Sequence, residues 1–286
     1  MTYAGHALDD DLTTLPRLPA WVTVAQAETP EDVAFLSGAA LTHLHLLLQN
    51  PTVPASLLRD RLALLAADAC LKRAGRSERA AELRDEVHLA RPGDTLGPGG
   101  AVFANWRAQV RAPLKSPGRG QGAPIVAAAI ALQEALNAHP GDEGTALMVA
   151  DAALSASLGW RHTFPLVSLG LSRRDLQKRD AALQQACSRA VLTGSREVAP
   201  LVQDLARRVS RLREVAPKLR AKGAGAAVRL FEEQDALSPS LALSPIVKGS
   251  TCRMTGRSAR RLCDRLVELG AVRELTGRDT FRLYGL

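Results

Sequence analysis

Apolar positions recur at helical spacing along most of this chain. The first such segment, "DVAFLSGAALTHLHLLL", follows Thr29 and Pro30, a capping residue and a first-turn proline. "PASLLRDRLALLAADACLKRAG" repeats the pattern and stops at Gly75, and "SERAAELRDEVHLA" follows with Ser77 as the expected cap. "RPGDTLGPGG" then breaks the chain before the helical run "AVFANWRAQVR". Residues 112–124, rich in proline and glycine, read as a linker-like loop. Beyond them lie two Ala-rich helices, "IVAAAIALQEALNAH" and "GDEGTALMVADAALSASLGW", and then the amphipathic "RRDLQKRDAALQQACSRAVL".

A further helix places Val202, Leu205, Val209, Leu212, Ala216 and Leu219 at spacings of three and four, a seam for packing on another helix. Its other faces carry Arg207, Arg208, Arg211 and Arg213, and Pro217 is expected to end or bend it. The pattern predicts a mainly α protein, a multi-helix body of antiparallel helical hairpins, with no fixed-period repeat. Trp21, Trp106 and Trp160 are expected to anchor the packing between helices.

The pattern changes at the C-terminal end. From Thr255 or Gly256 to Leu269, a helical projection gathers Ala259, Leu262, Cys263, Leu266 and Leu269 on one side. Arg257, Arg260, Arg261, Asp264 and Glu268 gather opposite, with Arg265 on the flank. Gly270 is the expected stop. "AVREL" and "FRLYGL" then flank "TGRDT", two short strands around a glycine-containing turn.

A helix followed directly by a hairpin is how a winged helix-turn-helix ends: the helix enters the major groove and the hairpin tip meets the backbone. On that expectation Arg253, Arg257, Arg260, Arg261 and Arg265 meet phosphates or guanine edges, and Arg278 at the turn is a phosphate contact. The preceding helix must come from "SPSLALSPIVKGSTC", a broken pattern. The expected organisation is an irregular lead-in over 1–29, a helical body over 30–222 and a small winged module over 223–286.

Composition agrees with a helical body, because aromatic residues are only 3% of the chain and the core must be built from Ala, Leu and Val. Charge sharpens the division. Residues 1–200 hold 20 basic and 20 acidic side chains, whereas residues 201–286 hold 17 and 9, so the net +8 belongs to the last third. Such asymmetry points to a polyanion partner. The four cysteines form no CxxC pair, the N-terminus lacks the pattern of a secretory signal, and the longest apolar run is too short for a bilayer. A cytoplasmic protein with reduced thiols and no membrane contact is expected.

The run "RLCDRLVELGAVRELTGRDTFRLYGL" resembles the winged-helix tails of some bacterial proteins, including those that follow Fic domains. The Fic pattern of a histidine before a Gly-Asn-Gly-Arg loop is absent, so no nucleotidyl transfer is implied. The whole chain resembles an uncharacterised bacterial family, domain of unknown function number 1403. The pieces that carry this are "LRDEVHLARPGDTLGPGG" over 83–100, "ADAALSASLGW" ending at Trp160, and the tail. That resemblance implies one shared architecture and supplies no activity.

Catalytic chemistry finds little support. His43 and His45, two apart on a helix, point some 200° away from each other and cannot share a metal as an i,i+4 pair does. "RPGDTLGPGG" and "GRGQG" match neither a Walker A loop nor a dinucleotide fingerprint. Glu82, Asp85 and Glu86 among Arg79 and Arg84 read as a surface ion-pair face. Asp68 and Asp151, inside apolar helices, are expected to bond an arginine or a helix end. No cofactor, metal or enzymatic activity is expected. The reading is a regulator, transcriptional or replicon-associated, that binds double-stranded DNA through its C-terminal module, its helical body sensing a signal, pairing as a homodimer or holding a partner. The alternative is a helical scaffold whose tail docks on a protein.

Overall fold

The structure, a computed structural model, describes residues 15–24, 27–115, 123–244 and 254–286. Within them the chain is mainly helical. After the single turn α1 (Ala20–Thr23) come α2 (Pro30–Leu48), α3 (Ala55–Arg73), α4 (Ala80–Leu89) and α5 (Pro98–Arg111). The sequence continues with α6 (Pro124–Ala138), α7 (Glu143–Ser157), the short α8 (Leu166–Gly170) and the long α9 (Asp180–Val215). The C-terminal part holds α10 (Ala224–Glu233), a π-helical turn over Pro239–Leu243, α11 (Gly256–Glu268), and strands β1 (Arg273–Glu274) and β2 (Tyr284–Gly285). None of the helices among the described residues is long and apolar enough to cross a membrane.

The local rules hold where the chain starts α2. The Thr29 hydroxyl accepts from the Asp32 amide at 3.1 Å, and the Asp32 carboxylate accepts from the Thr29 amide at 3.1 Å, a reciprocal capping box. These bonds hold the Asp32 carboxyl below its ordinary range. The α4 helix starts at Ala80, not beside Ser77. The Arg79 amide donates to Glu82 at 2.7 Å and the Ala80 amide donates to Asp68 of α3 at 3.2 Å. A tertiary contact thus sets that boundary.

The segments expected as two separate amphipathic helices form one helix, α9, with Pro200 inside it. A proline within a helix costs about 3 kcal/mol. Here a buried seam runs on both sides of it, through Val191, Val198, Val202, Leu205, Val209 and Leu212, and outweighs that cost. Past Leu212 the buried residue is Val215, with Ala216 only half-buried. Trp106 and Trp160 are buried as anchors, but Trp21 is 51% exposed and stacks on Phe35 with ring centroids 5.5 Å apart.

Two helices organise the packing. One face of α3 contributes Leu57, Leu58 and Leu62 to the main core, and the other contributes Ala63, Ala66, Ala67 and Leu71 to a second cluster with Leu83, Phe103 and Trp106 of α4 and α5. The α9 helix packs on α2, α6 and α8. Its contact with α8 is backbone to backbone. A Cβ added at Gly170 would lie 2.2 Å from the Ala190 carbonyl oxygen, and one at Gly194 would lie 2.6 Å from that of Leu166.

The α8 turn is satisfied at both ends. At its start the Asp151 carboxylate accepts from the Val167 amide at 2.7 Å and the Ser168 amide at 3.1 Å, and also from the Ser168 hydroxyl. At its end the Arg73 guanidinium donates to the Ser168 and Leu171 carbonyls at 2.6 and 3.1 Å. Asp151 therefore binds a helix end, as its place in an apolar helix suggested. Burial pushes its carboxyl up to about 7 against those bonds.

The C-terminal elements share the main core with the body. Leu237 bridges Tyr284, each amide donating to the other's carbonyl at 2.8 and 3.0 Å. β1 and β2 run antiparallel with Arg273 opposite Gly285 and Glu274 opposite Tyr284. The same cluster holds Leu44 of α2, Leu212 of α9, Phe231 of α10, Leu266 of α11 and Leu286. The expected boundary near residue 222 falls inside this continuous core. Gly170→Ala should force α8 off α9 and lower stability by about 1–3 kcal/mol, read as a shifted urea midpoint with an unchanged slope.

Candidate nucleic-acid interface

Thr255 starts α11, its hydroxyl accepting from the Ser258 amide at 3.2 Å, and Gly270 ends it with φ at +66°. The predicted wheel matches the burial. Ala259, Leu262, Cys263 and Leu266 are buried, while Arg257, Arg260, Arg261 and Arg265 are exposed. Leu269 is only half-buried. Burial pushes the Cys263 thiol up to about 12, so it packs as a small apolar group.

The arginines expected to act together have different surroundings. Arg257, Arg260 and Arg261 make no hydrogen bond or ion pair among the described residues. Arg265 meets Glu268 one turn on, at 2.9 Å. Arg278 reaches away from α11 and pairs with Asp85 of α4 at 2.5 Å. Arg253 lies outside the described residues.

Sequence reading missed a second strand of positive charge. The connection after α9 carries Lys218 and Arg220 past α11, and the two segments enclose an open cleft of about 690 Å³. Lys218, Arg220, Arg261, Arg265 and Ser258 line it, and among the described residues no acidic side chain does. Lys218 and Arg220 are exposed and carry no bond to the rest of the fold among the described residues. Arg220 and the first α11 arginine, Arg257, are 37 positions apart, so no local pattern links the two segments. The only sequence signal was the charge excess of the last third.

A second set of charged residues, around Asp235, is internal. Asp235, in the connection after α10, is fully buried and pairs with Arg61 of α3 and, at 2.6 Å, with Arg84 of α4. Its amide donates to the buried Asp60 at 3.0 Å, and Asp60 binds Arg107 at 2.7 Å and Arg111 at 2.8 Å on α5. Arg61 also donates to the Leu286 carbonyl at 3.0 Å. Burial raises the Asp235 carboxyl, but Arg61 and Arg84 outweigh it and hold it below the ordinary range. Gly285 lets β2 close over this knot, since a Cβ there would sit 2.4 Å from the Asp235 carbonyl.

The expected surface ion-pair face on α4 is therefore corrected. Arg84 points to buried Asp235, Asp85 holds Arg278, and Glu82 caps its own helix. The Glu86 carboxylate accepts from the amides of Gly97 and Gly100, so the "GPGG" segment opens α5 instead of breaking the chain. Outside this region His45 accepts from the Trp160 indole at 2.9 Å, and burial lowers His43 from its ordinary value. Both act as packing histidines. No group of three potential metal ligands occurs among the described residues.

A mainly helical protein results, with a basic helix, three of whose arginines are unpaired among the described residues, packed on the helical body. The sequence profile of the family described as protein of unknown function (DUF1403) matches residues 6–119 and 115–286, and the chain belongs to that family. No curated protein and no solved structure matches it.

Two consequences concern the knot. Asp235→Ala strands Arg61 and Arg84 in a closed site and should cost about 3–5 kcal/mol, measured by chemical denaturation. His88 stands beside it, its Nε2 buried without a partner. Burial, then the nearby Arg107, lower it to about 4, against an ordinary 6.5. The unfolded chain takes this proton near 6.5 and the folded chain does not until about 4. Stability should therefore fall as pH drops through that window, by about 1.4 kcal/mol per pH unit. The imidazole resonances should titrate near the lower value, and His88→Gln should remove this part of the slope.

Proposed function

We propose that the protein binds double-stranded DNA through the exposed face of α11. The observation that carries this reading is the row Arg257, Arg260 and Arg261: three guanidiniums with no partner among the described residues, directly opposite a buried apolar side. The element order supports it. α10, the extended residue Leu237, the turn over Pro239–Leu243, α11 and the β1–β2 pair follow the order of a winged helix-turn-helix. In that arrangement α11 is the helix that enters the major groove.

Lys218 and Arg220 extend the contact to phosphates flanking the groove, which the α11 arginines alone would not reach. Arg265, bound to Glu268, contributes less, and Arg278 is left out because Asp85 already holds it. The wing is thereby fixed on the body, and the duplex contact is made by the helix and the 218–220 connection. A regulator working this way neutralises phosphates first and reads bases second, so its affinity is strongly salt-dependent.

One observation favours the second reading, a module that docks on a protein. Phe281 is 67% exposed in the β1–β2 connection and has φ at +54°, a conformation that costs a non-glycine residue energy. An apolar ring held outward in this way suits a protein surface better than a phosphate backbone.

Fluorescence anisotropy with random-sequence duplex separates the two. Arg260→Ala/Arg261→Ala should weaken binding at least about tenfold and reduce the slope of log affinity against log salt by about 2, with the melting temperature unchanged. Lys218→Ala/Arg220→Ala should act in the same direction. Arg278→Ala should leave duplex affinity alone and cost less than about 1 kcal/mol of stability. Binding that is absent, or indifferent to salt and to the α11 variants, rejects the duplex reading. A stoichiometric protein partner lost in Phe281→Ser then supports the second.

A further inference from the structure

Beyond the C-terminal end of α11, a cleft of about 700 Å³ opens between α9 and the ends of the β1–β2 pair. Six guanidiniums line it: Arg17, Arg207, Arg208, Arg211, Arg213 and Arg273. Among the described residues, Glu214 is the one acidic side chain on its walls. The lining starts at Gly270, past the end of α11, so this cleft shares no residue with the α11 face.

The surrounding carboxylates do not balance these cations. Asp204 is shared between Arg207 and Arg208, at 2.5 Å each. Glu214 meets Arg211 at 3.2 Å, and Glu232 takes Arg213 in a two-point contact at 2.8 and 3.0 Å. Among the described residues, three carboxylates thus face six guanidiniums. Arg17 and Arg273 make no hydrogen bond or ion pair among the described residues. Partial burial and the nearby Arg208 both disfavour the charged form of Arg273, so the cleft holds its cations against their own repulsion. An anion between them relieves that repulsion and gains charge-assisted hydrogen bonds.

The walls are not charged throughout. Leu15, Ala206, Ala271 and Val272 supply an apolar side. A concave space of this volume, part apolar, with a few convergent cationic groups, has the character of a small-molecule site. We infer that the cleft binds a small organic ligand carrying two or more phosphates, of nucleoside diphosphate size, its phosphates between Arg17, Arg208 and Arg273 and its apolar part against Ala271 and Val272. A monoanion would leave most of the excess charge unanswered. The ligand would touch both α9 and the β1–β2 ends, across the seam between body and tail. The site stands independently of duplex binding by α11.

Isothermal titration of the full chain with ADP, with pyrophosphate and with adenosine tests this. ADP should bind saturably at one site, pyrophosphate more weakly, and adenosine not at all. Arg17→Gln/Arg273→Gln should weaken ADP by about tenfold or more, the loss of two charge-assisted contacts. Neither residue bonds within the described fold, so the melting temperature should hold. Arg208→Gln should also weaken ADP, whereas Arg260→Ala/Arg261→Ala should leave it unchanged. Absence of saturable ADP binding, or ADP binding unaffected by Arg17→Gln/Arg273→Gln, overturns the inference. So does a fall in duplex affinity in that variant as large as in the α11 variant, which would make the cleft part of the duplex path. Loss of duplex binding with ADP binding intact would overturn only the reading of α11.

Discussion

The fold depends on two buried carboxylates, Asp60 and Asp235, and the four arginines that surround them. Asp60 sits in the middle of α3 and takes Arg107 and Arg111 from α5. Asp235 belongs to the C-terminal part and takes Arg61 from α3 and Arg84 from α4. The Asp235 amide joins the two halves by donating to Asp60. A buried charge without its partner is far more costly than one that never entered. Every element bearing one of these residues must therefore reach its place before the knot can close. In this way the knot ties α3, α4, α5 and the tail into one arrangement, and the apolar core fills in around it.

This knot bears on what the C-terminal part can do. Arg278 on Asp85, Arg213 on Glu232 and Arg211 on the Leu269 carbonyl add further ties between body and tail. A tail held in so many places does not swing as an independent module. Its α11 face is instead presented at a fixed angle beside Lys218 and Arg220. Preorganisation of that kind reduces the ordering cost of binding a rigid polyanion. It also places the cleft between α9 and β1 on a packed seam.

The arginines fall into two populations that composition alone cannot separate. Arg61, Arg84, Arg107 and Arg111 compensate buried acids and are part of the fold. Arg257, Arg260, Arg261 and Arg220 compensate nothing within the described residues and face outward. Burial and pairing divide them, and both depend on which helix packs against which. The net charge of the last third marked the region that holds the exposed α11 arginines. It could not show that Arg278 belongs to the first population or that Lys218 and Arg220 belong with the second.

Local physics made most of the helices legible. The Thr29 cap, the Gly75 and Gly270 stops, the α11 wheel and the short β1–β2 pair follow from spacing, capping and glycine conformation within a few residues. Those signals act over one or two turns, and the sequence carries them whole. The unbroken α9 through Pro200, the start of α4, the exposure of Trp21 and the inward acids of α3 and α4 were not legible. Each is set by a neighbour far along the chain: a buried seam, the Asp68 carboxylate, Phe35, or Asp235. The sequence by itself determined a helical chain ending in a basic amphipathic helix. Only the tertiary structure decided which charges are paired inside and which are left exposed, because burial and pairing are properties of the packed molecule.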